Sequence, residues 1–181
     1  MNLNWLLPPT GGRTPSQEIL LPVKARYIAL TLLTALVLNL FALPGILQQI
    51  RPDFIALTLI YWVVYHPRRV GFLPAWILGL IMDVADGSLF GQHALAYAML
   101  MYLAILLYRR IVMFGMRHQI VHVLAILVAS QLIMLGVRFM AGSDFPGLLY
   151  FVPSLLGAAL WPMLFSVIRV PLRPRSDPDA A

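Results

Sequence analysis

Long apolar runs separated by short polar connections make up most of the chain, which has 181 residues. Crossing the ~30 Å hydrocarbon core of a bilayer takes ~20 apolar residues in a helix, and all but one of the runs approach that length. The exception, residues 54–65, reaches only ~18 Å at the rise of an α-helix. The runs cover residues 27–43, 54–65, 71–90, 93–108, 119–140 and 147–168. The pattern predicts an all-α integral membrane protein, a bundle of six transmembrane helices.

The ends of the short run carry helix-boundary signals. Pro52 suits the first turn of a helix, and Asp53 complements the positive N-terminal end of the helix dipole. At the other end, Pro67 disfavours helical geometry in the residue before it, His66. The run is therefore predicted to be helical, either as a short tilted span or as a re-entrant segment that turns back within the membrane.

Composition identifies the bilayer as the solvent of this chain. Apolar residues make up 61% and charged residues 11%, against roughly 25% charged residues in an ordinary globular domain. The absence of cysteine excludes disulfides, cysteine-based metal sites and thiol nucleophiles. The net charge of +6 comes from residues beside the apolar runs, where basic residues set orientation. We therefore expect the lipid bilayer, and no nucleic acid, as a partner.

The distribution of basic residues distinguishes the two versions of the short run. If all six runs cross, eleven of the 13 Lys and Arg residues lie on one side and only Arg51 and Arg138 on the other. If residues 54–65 are re-entrant, the split falls to nine against four. The positive-inside rule favours six crossings with both termini in the cytoplasm. The predicted organisation is an N-terminal cytoplasmic or interfacial segment (1–24), a transmembrane domain (25–170) and a disordered cytoplasmic tail (171–181).

One stripe of acidic and small residues lies on the third run. Gly79, Asp83, Asp86 and Gly87 follow the three- and four-residue spacing of one helix face. Carboxylates facing lipid are costly, so this face is predicted to point into the bundle. It is interpreted as a proton or cation site, a metal-dependent active site, a partner contact, or a structural ion pair with small-residue packing. In the structural version, we expect Asp83 to pair with Arg138; Arg51 is the other available cation.

Comparison with enzyme motifs yields no catalytic, cofactor or metal site. Asp83, Asp86 and Gly87 look like the opening of the CDP-alcohol phosphotransferase signature, but the rest of that signature is missing. His118 and His122 have a spacing that can hold zinc, without the intervening Glu of metalloproteases. The serines within the runs, Ser130, Ser154 and Ser166, have no charged base nearby in sequence. His66 and His93 are interpreted as loop residues without partners. The chain is therefore predicted not to be an enzyme.

Two groups of residues carry a resemblance to a known family. The first comprises Arg51, Pro52 and Asp53, then Tyr61 and Trp62, then His66, Pro67, Arg68, Arg69 and Val70, then Gly79, Asp83, Gly87, Ser88 and Gly91, followed by Ala94, Leu95, Ala96 and Tyr102. The second comprises Leu160, Trp161 and Pro162 with Arg169. In this order and spacing the residues resemble the MreD family, small polytopic membrane proteins of the bacterial rod-shape (elongation) machinery. The longer N-terminus and Asp86 depart from the family pattern.

This resemblance implies a non-enzymatic subunit of the bacterial inner membrane. Such a subunit works with MreC, with the RodA glycosyltransferase and its partner transpeptidase, a penicillin-binding protein, and indirectly with the MreB cytoskeleton. The family also resembles the S components of energy-coupling-factor vitamin transporters, which have six helices and cytoplasmic termini. Three hypotheses follow: an assembly subunit of the cell-wall elongation complex, a small-molecule binding or transport module, and a phospholipid-type membrane enzyme.

Overall fold

The computed structural model describes residues 24–170, and every regular element among them is a helix. The helices are α1 (Ala25–Leu40), α2 (Ile46–Ile50), α3 (Phe54–Tyr65), α4 (Phe72–Ala85), α5 (Gln92–Met113), α6 (Met116–Met140) and α7 (Val152–Arg169), the last preceded by a 3-10 turn, Leu148–Phe151. The predicted all-α class is confirmed. The predicted disordered tail, and all but the last residue of the predicted N-terminal segment, lie outside the described residues.

The short helix α3 forms the centre of the bundle. All ten of its buried residues, from Ile55 to Val64, are at most 3% exposed. Helices α1, α5 and α7 pack against it, so its whole circumference is covered by protein. A helix with no lipid-facing side does not have to match the thickness of the hydrocarbon core, which explains its twelve residues.

The long helices alternate in direction. Asn39 near the end of α1 meets Asp53 at the start of α3, and Asp83 near the end of α4 meets His93 at the start of α5. At the opposite end of the bundle, Tyr27 in the first turn of α1 donates to the Ile168 carbonyl in the last turn of α7. We call the end that holds Asp53 and Asp83 the outer end, following the charge distribution. The alternation agrees with the six-crossing version of the short run.

Length and composition support several spans directly. Three helical segments, Gln92–Met113, Met116–Met140 and Leu148–Arg169, are long and apolar enough to cross a membrane, and Ala25–Leu40 and Phe72–Ala85 are shorter apolar helices. The chain is thus a multi-pass helical membrane protein. Lipid crossing by all six helices, with cytoplasmic termini, stays a prediction.

The end of α4 differs from the sequence prediction, which carried this helix to residue 90. The helix ends at Ala85, and Gly87 adopts a left-handed conformation with φ of 60°. The Ser88 N–H bonds to the Asp83 carbonyl and the Gly87 N–H to the Val84 carbonyl, the two hydrogen bonds of a Schellman motif. Because the chain leaves the helix at this point, residues 88–91 turn back over Asp83 and begin α5.

Candidate functional site

The carboxylate of Asp83 is the centre of a hydrogen-bonded cluster at the outer end. It is 1% exposed, and its Oδ2 accepts the Gly91 N–H at 2.8 Å. Its Oδ1 accepts the His93 N–H at 2.7 Å, the His93 ring nitrogen Nδ1 at 2.9 Å and the Ser88 hydroxyl at 2.9 Å. Gly91 is the N-cap residue of α5. The carboxylate of α4 therefore caps the N-terminus of α5, where negative charge is favoured.

This geometry corrects two sequence predictions. The expected ion pair between Asp83 and Arg138 is wrong, because the oxygens of Asp83 bind groups of α5 and its preceding turn, and Arg138 makes no salt bridge within residues 24–170. The interpretation of His93 as a loop residue without partners is also wrong. His93 lies in the first turn of α5, and its Nε2 faces Asp86 Oδ2 at 3.7 Å. The chain reversal between α4 and α5 places hydrogen-bond partners closer to Asp83 than the basic residues of distant helices.

The cluster contains a serine hydroxyl and a histidine, the two groups of a nucleophile–base pair, but not in the geometry that such a pair needs. A carboxylate can only accept hydrogen bonds, so Nδ1 of His93 carries a hydrogen and donates the hydrogen bond to Asp83. The Ser88 hydroxyl lies 3.3 Å from that same Nδ1, whereas a histidine acting as a general base needs the nucleophile at its other nitrogen. The contacts therefore orient His93 and close the α4–α5 connection.

Gly79 allows α4 and α5 to approach closely. A Cβ atom at this position would lie 2.8 Å from the His93 carbonyl carbon and closer still to the Ala94 backbone. Gly79 and Asp83 are both buried, so the prediction that their face points into the bundle is confirmed for these two residues. The prediction is wrong for Asp86 and Gly87, because the helix ends before them and both are exposed.

A second carboxylate, Asp53, organises the junction of α1, α3 and α5. Its Oδ1 accepts the Ala56 N–H, as an N-cap residue does, and the side-chain amide of Asn39, each at 2.9 Å. The amide oxygen of Asn39 accepts the Phe54 N–H at 3.0 Å. The hydroxyl of Tyr97, a fully buried residue of α5, donates to Asp53 Oδ2 at 2.8 Å. The prediction that Asp53 starts the short helix is confirmed.

A polar cavity of about 170 Å³ lies between the two carboxylate clusters. Its wall includes side chains of both clusters and of α6 and α7. On the α6–α7 side, Gln131 accepts the Ser154 hydroxyl at 2.6 Å and donates to the Tyr150 carbonyl at 2.9 Å. Arg51, at the end of α2, also lines the cavity and donates to the Phe41 carbonyl at 3.0 Å. Within the described residues, no three His, Asp or Glu side chains lie together as metal ligands.

The aromatic residues of the pattern form a separate group toward the inner end. Tyr61 and Trp62 on α3 meet edge to face at 5.2 Å, and Tyr61 lies 6.4 Å from Trp161 on α7. Both tryptophan N–H groups have partners: Trp62 donates to the Thr31 hydroxyl and Trp161 to the Gln119 side chain. Buried tryptophans usually find such a partner. Pro162 lies inside α7 and its carbonyl accepts the Ser166 hydroxyl.

The turn after α3 holds the remaining residues of the pattern. The His66 N–H donates to the Trp62 carbonyl at 2.7 Å, and the imidazole lies 5.5 Å from the Trp62 ring. The Arg69 N–H closes the turn on the His66 carbonyl at 2.9 Å, across Pro67. Burial, and secondly the charge of Arg69, lower the pKa of His66. His66 therefore favours the neutral form, and Arg68 and Arg69 remain exposed.

The two histidines of the proposed zinc spacing lie on the first two turns of α6. His122 Nδ1 contacts the His118 carbonyl at 2.7 Å, and both rings lie against Phe114. Ser130 donates to the Leu127 carbonyl within its own helix. These contacts anchor the three side chains within their own helix or the turn before it.

Comparison with known proteins identifies the family. The model of the family described as rod shape-determining protein MreD matches residues 23–172. The chain belongs to the MreD family. It is also similar to the rod shape-determining protein MreD of Haemophilus influenzae, with 30% identity over 139 residues that cover 75% of this chain and 83% of the relative. No solved structure matches the chain. Membership of the MreD family gives it a role in rod-shape determination and a multi-pass location in the bacterial inner membrane.

The MreD-like pattern divides between the two ends of the bundle. Its outer members are Arg51, Pro52, Asp53, Gly79, Asp83, Gly87 and Gly91, with Arg138, and its inner members are Tyr61, Trp62, His66, Pro67, Arg69, Trp161 and Pro162. Sequence reasoning missed several polar partners inside the bundle: Asn39, Ser88, His93, Tyr97, Gln119 and Gln131. A single amide side chain in an otherwise apolar run could have indicated such a contact, because a buried amide needs a hydrogen-bond partner inside the bundle.

Proposed function

We propose that the chain is a non-enzymatic subunit of the cell-wall elongation complex that maintains rod shape through contacts with other membrane proteins. MreC is the direct partner in this proposal, RodA and its transpeptidase belong to the same assembly, and MreB is reached indirectly. The observation that carries the proposal is the family match over residues 23–172. The bonding of Asp83 supports it, because a carboxylate holding four hydrogen bonds is committed to structure.

An apolar groove between α1 and α7 is suited to receive a partner helix. Helices α1 and α7 both pack on α3 and flank an apolar groove of about 350 Å³. Its lining includes Thr31, Thr34, Ala35 and Thr58 among larger aliphatic residues. Small residues and hydroxyls favour close helix packing in lipid, where hydrophobicity does not drive association. A single transmembrane helix of MreC is the occupant in this proposal.

Co-purification tests the partner and the groove together. The protein is tagged, extracted from native membranes and analysed by mass spectrometry for MreC, RodA and the transpeptidase. Thr34→Phe fills the groove with a ring and should reduce MreC recovery. Leu106→Phe, on an exposed position of α5 that does not line the groove, should leave recovery unchanged. Recovery that is equal in both variants argues against the groove, and no MreC with the wild-type protein argues against the partner.

Depletion in the native organism tests the cellular role. Cells should become round and lose ordered side-wall synthesis. The second candidate function is a small-molecule, vitamin-like binding or transport module of S-component type. The polar outer cavity of about 170 Å³ is the observation that favours it. Depletion that leaves shape intact and changes vitamin uptake would replace the first function with the second.

A further inference from the structure

A larger open cavity lies at the outer end of the bundle, beside the polar cavity already described. It has a volume of about 660 Å³ and is lined by the α4–α5 turn, the end of α6 and the chain before α7. The two cavities share Asp86, His93 and Tyr150 in their walls. The two cavities are therefore neighbours at the outer end of the bundle.

Two opposite charges in the wall of the open cavity lack a full complement of partners. Arg138, in the last turn of α6, is half-buried, and among residues 24–170 no carboxylate lies within 4.0 Å of it. Asp86 has a side chain 34% exposed, and the one basic side chain of that range within 4.0 Å of its carboxylate is His93, at 3.7 Å. By contrast, the carboxylate of Asp83, three residues earlier, already accepts four hydrogen bonds. Arg138 is a partly desolvated charge without a counter-charge in this range, which is costly, so the cavity favours a ligand that supplies an anion to Arg138 and a cation to Asp86.

Two large, exposed apolar side chains lie in the wall of this cavity. Leu89 and Leu149 line it and are 42% and 51% exposed. Exposed aliphatic side chains beside the polar groups of a cavity match a ligand with a charged head and hydrocarbon tails.

We propose that this cavity binds a zwitterionic ligand, with its cation toward Asp86 and its anion, a phosphate, toward Arg138. The planar guanidinium binds phosphate through two parallel hydrogen bonds, which makes arginine the better phosphate partner of the two basic side chains. The exposed Leu89 and Leu149 in the wall favour a phospholipid with an ethanolamine headgroup as the source. A free zwitterion such as phosphoethanolamine presents the same pair of charges. The site is distinct from the α1–α7 groove, so it does not depend on the partner proposed above.

Native mass spectrometry of the full chain, delipidated in detergent, measures the binding. The protein is titrated with dioleoyl phosphatidylethanolamine, and the fraction carrying one lipid is recorded. Asp86→Asn and Arg138→Gln should each weaken binding by about tenfold, as expected for loss of one charge-assisted hydrogen bond. Matched controls are Arg117→Gln, at the opposite end of α6, and Asp144→Asn, in the outer turn but absent from the cavity wall. Both should bind like the wild type.

Lipids that lack one of the charges test the site on the unaltered protein. Phosphatidylglycerol has no ammonium group, and N-acyl phosphatidylethanolamine has lost its positive charge. Each should bind the wild type about tenfold more weakly than phosphatidylethanolamine. This comparison needs no substitution, so it stands even if a variant fails to fold.

Two outcomes would overturn the inference. One is phosphatidylethanolamine binding that is equal in the wild type, Asp86→Asn and Arg138→Gln. The other is equal binding of all three lipids to the wild type. Competition identifies the source: displacement of the lipid by free phosphoethanolamine at comparable concentration assigns the site to a soluble zwitterion, and failure to displace assigns it to the lipid. Both results retain the paired recognition by Asp86 and Arg138.

Discussion

Replacing Asp83 is expected to destabilise the bundle through loss of the α5 cap. In the Asp83→Leu variant, the N–H groups of Gly91 and His93 lose their acceptor inside a 1% exposed site. Each buried donor left without a partner costs ~1–3 kcal/mol. For the two donors together the loss in free energy of unfolding is about 2–6 kcal/mol, a range that includes the ~3–5 kcal/mol for removing one partner of a buried ion pair.

Asp83→Asn should be milder. The amide keeps one oxygen that can accept the His93 N–H and the Ser88 hydroxyl. Its NH2 group then faces the Gly91 N–H, so two donors meet where one hydrogen bond was made. Loss of that hydrogen bond and of the negative charge predicts a decrease of about 1–3 kcal/mol.

A double-mutant cycle distinguishes the observed partner from the one expected from sequence. The assay is reversible unfolding in mixed detergent micelles without added lipid, measured as a free energy of unfolding. Asp83→Leu combined with His93→Ala should show a coupling of about 1–2 kcal/mol, because each substitution alone removes the hydrogen bond that the two side chains share. Asp83→Leu combined with Arg138→Gln should be additive within ~0.5 kcal/mol. The reasoning fails if Arg138 couples strongly to Asp83 while His93 does not.

Three further predictions follow from the same contacts. Gly79→Ala should cost about 1–3 kcal/mol of unfolding free energy because its Cβ meets backbone, whereas Gly136→Ala, with nothing within 4 Å, should be neutral or stabilising; equal effects in unfolding assays would refute the close approach. Tyr97→Phe should cost about 1.5–3 kcal/mol in the same assay because it removes a hydrogen bond to a carboxylate, and a neutral result would contradict that bond. A cysteine at Ser143 should react with an impermeant thiol reagent in cells with a permeabilised outer membrane and one at Gly115 should not; the reverse pattern would overturn the assigned orientation.

The sequence predicted the helices well because apolar runs and boundary residues are local signals. The run 54–65 coincides with α3, since Asp53 and the pair of His66 and Pro67 mark both of its ends. The bounds were wrong where the boundary depends on backbone geometry. Helix α4 ends five residues before the predicted end of its run because Gly87 takes a left-handed conformation. A glycine inside an apolar run gives no sign in the sequence that it will adopt this conformation.

The polar contacts were predicted less well because they depend on which helices are neighbours. The face carrying Gly79 and Asp83 was correctly predicted to be buried, but its partner was sought among arginines on distant helices. In the structure, the partners of Asp83 are backbone N–H groups and a histidine within ten residues. Helix N-termini offer unpaired N–H groups at every chain reversal, so a carboxylate just before a short turn has an acceptable partner without any basic residue.

The position of α3 explains why its length alone was ambiguous, whereas charge counting favoured a crossing. A twelve-residue helix is too short to meet lipid along its whole length, and that argued for a re-entrant segment. The number of basic residues in each connection indicates on which side of the membrane that connection lies, whether lipid or protein surrounds the helix between two connections. Protein covers α3 on all sides, and Asp53 with Asn39 satisfies its first turn, where water or headgroups would otherwise be needed. The hydropathy and length of a run therefore report how much of the helix contacts lipid, whereas the basic residues at its ends report the direction in which it runs. For a central helix such as α3, only the charge pattern is informative.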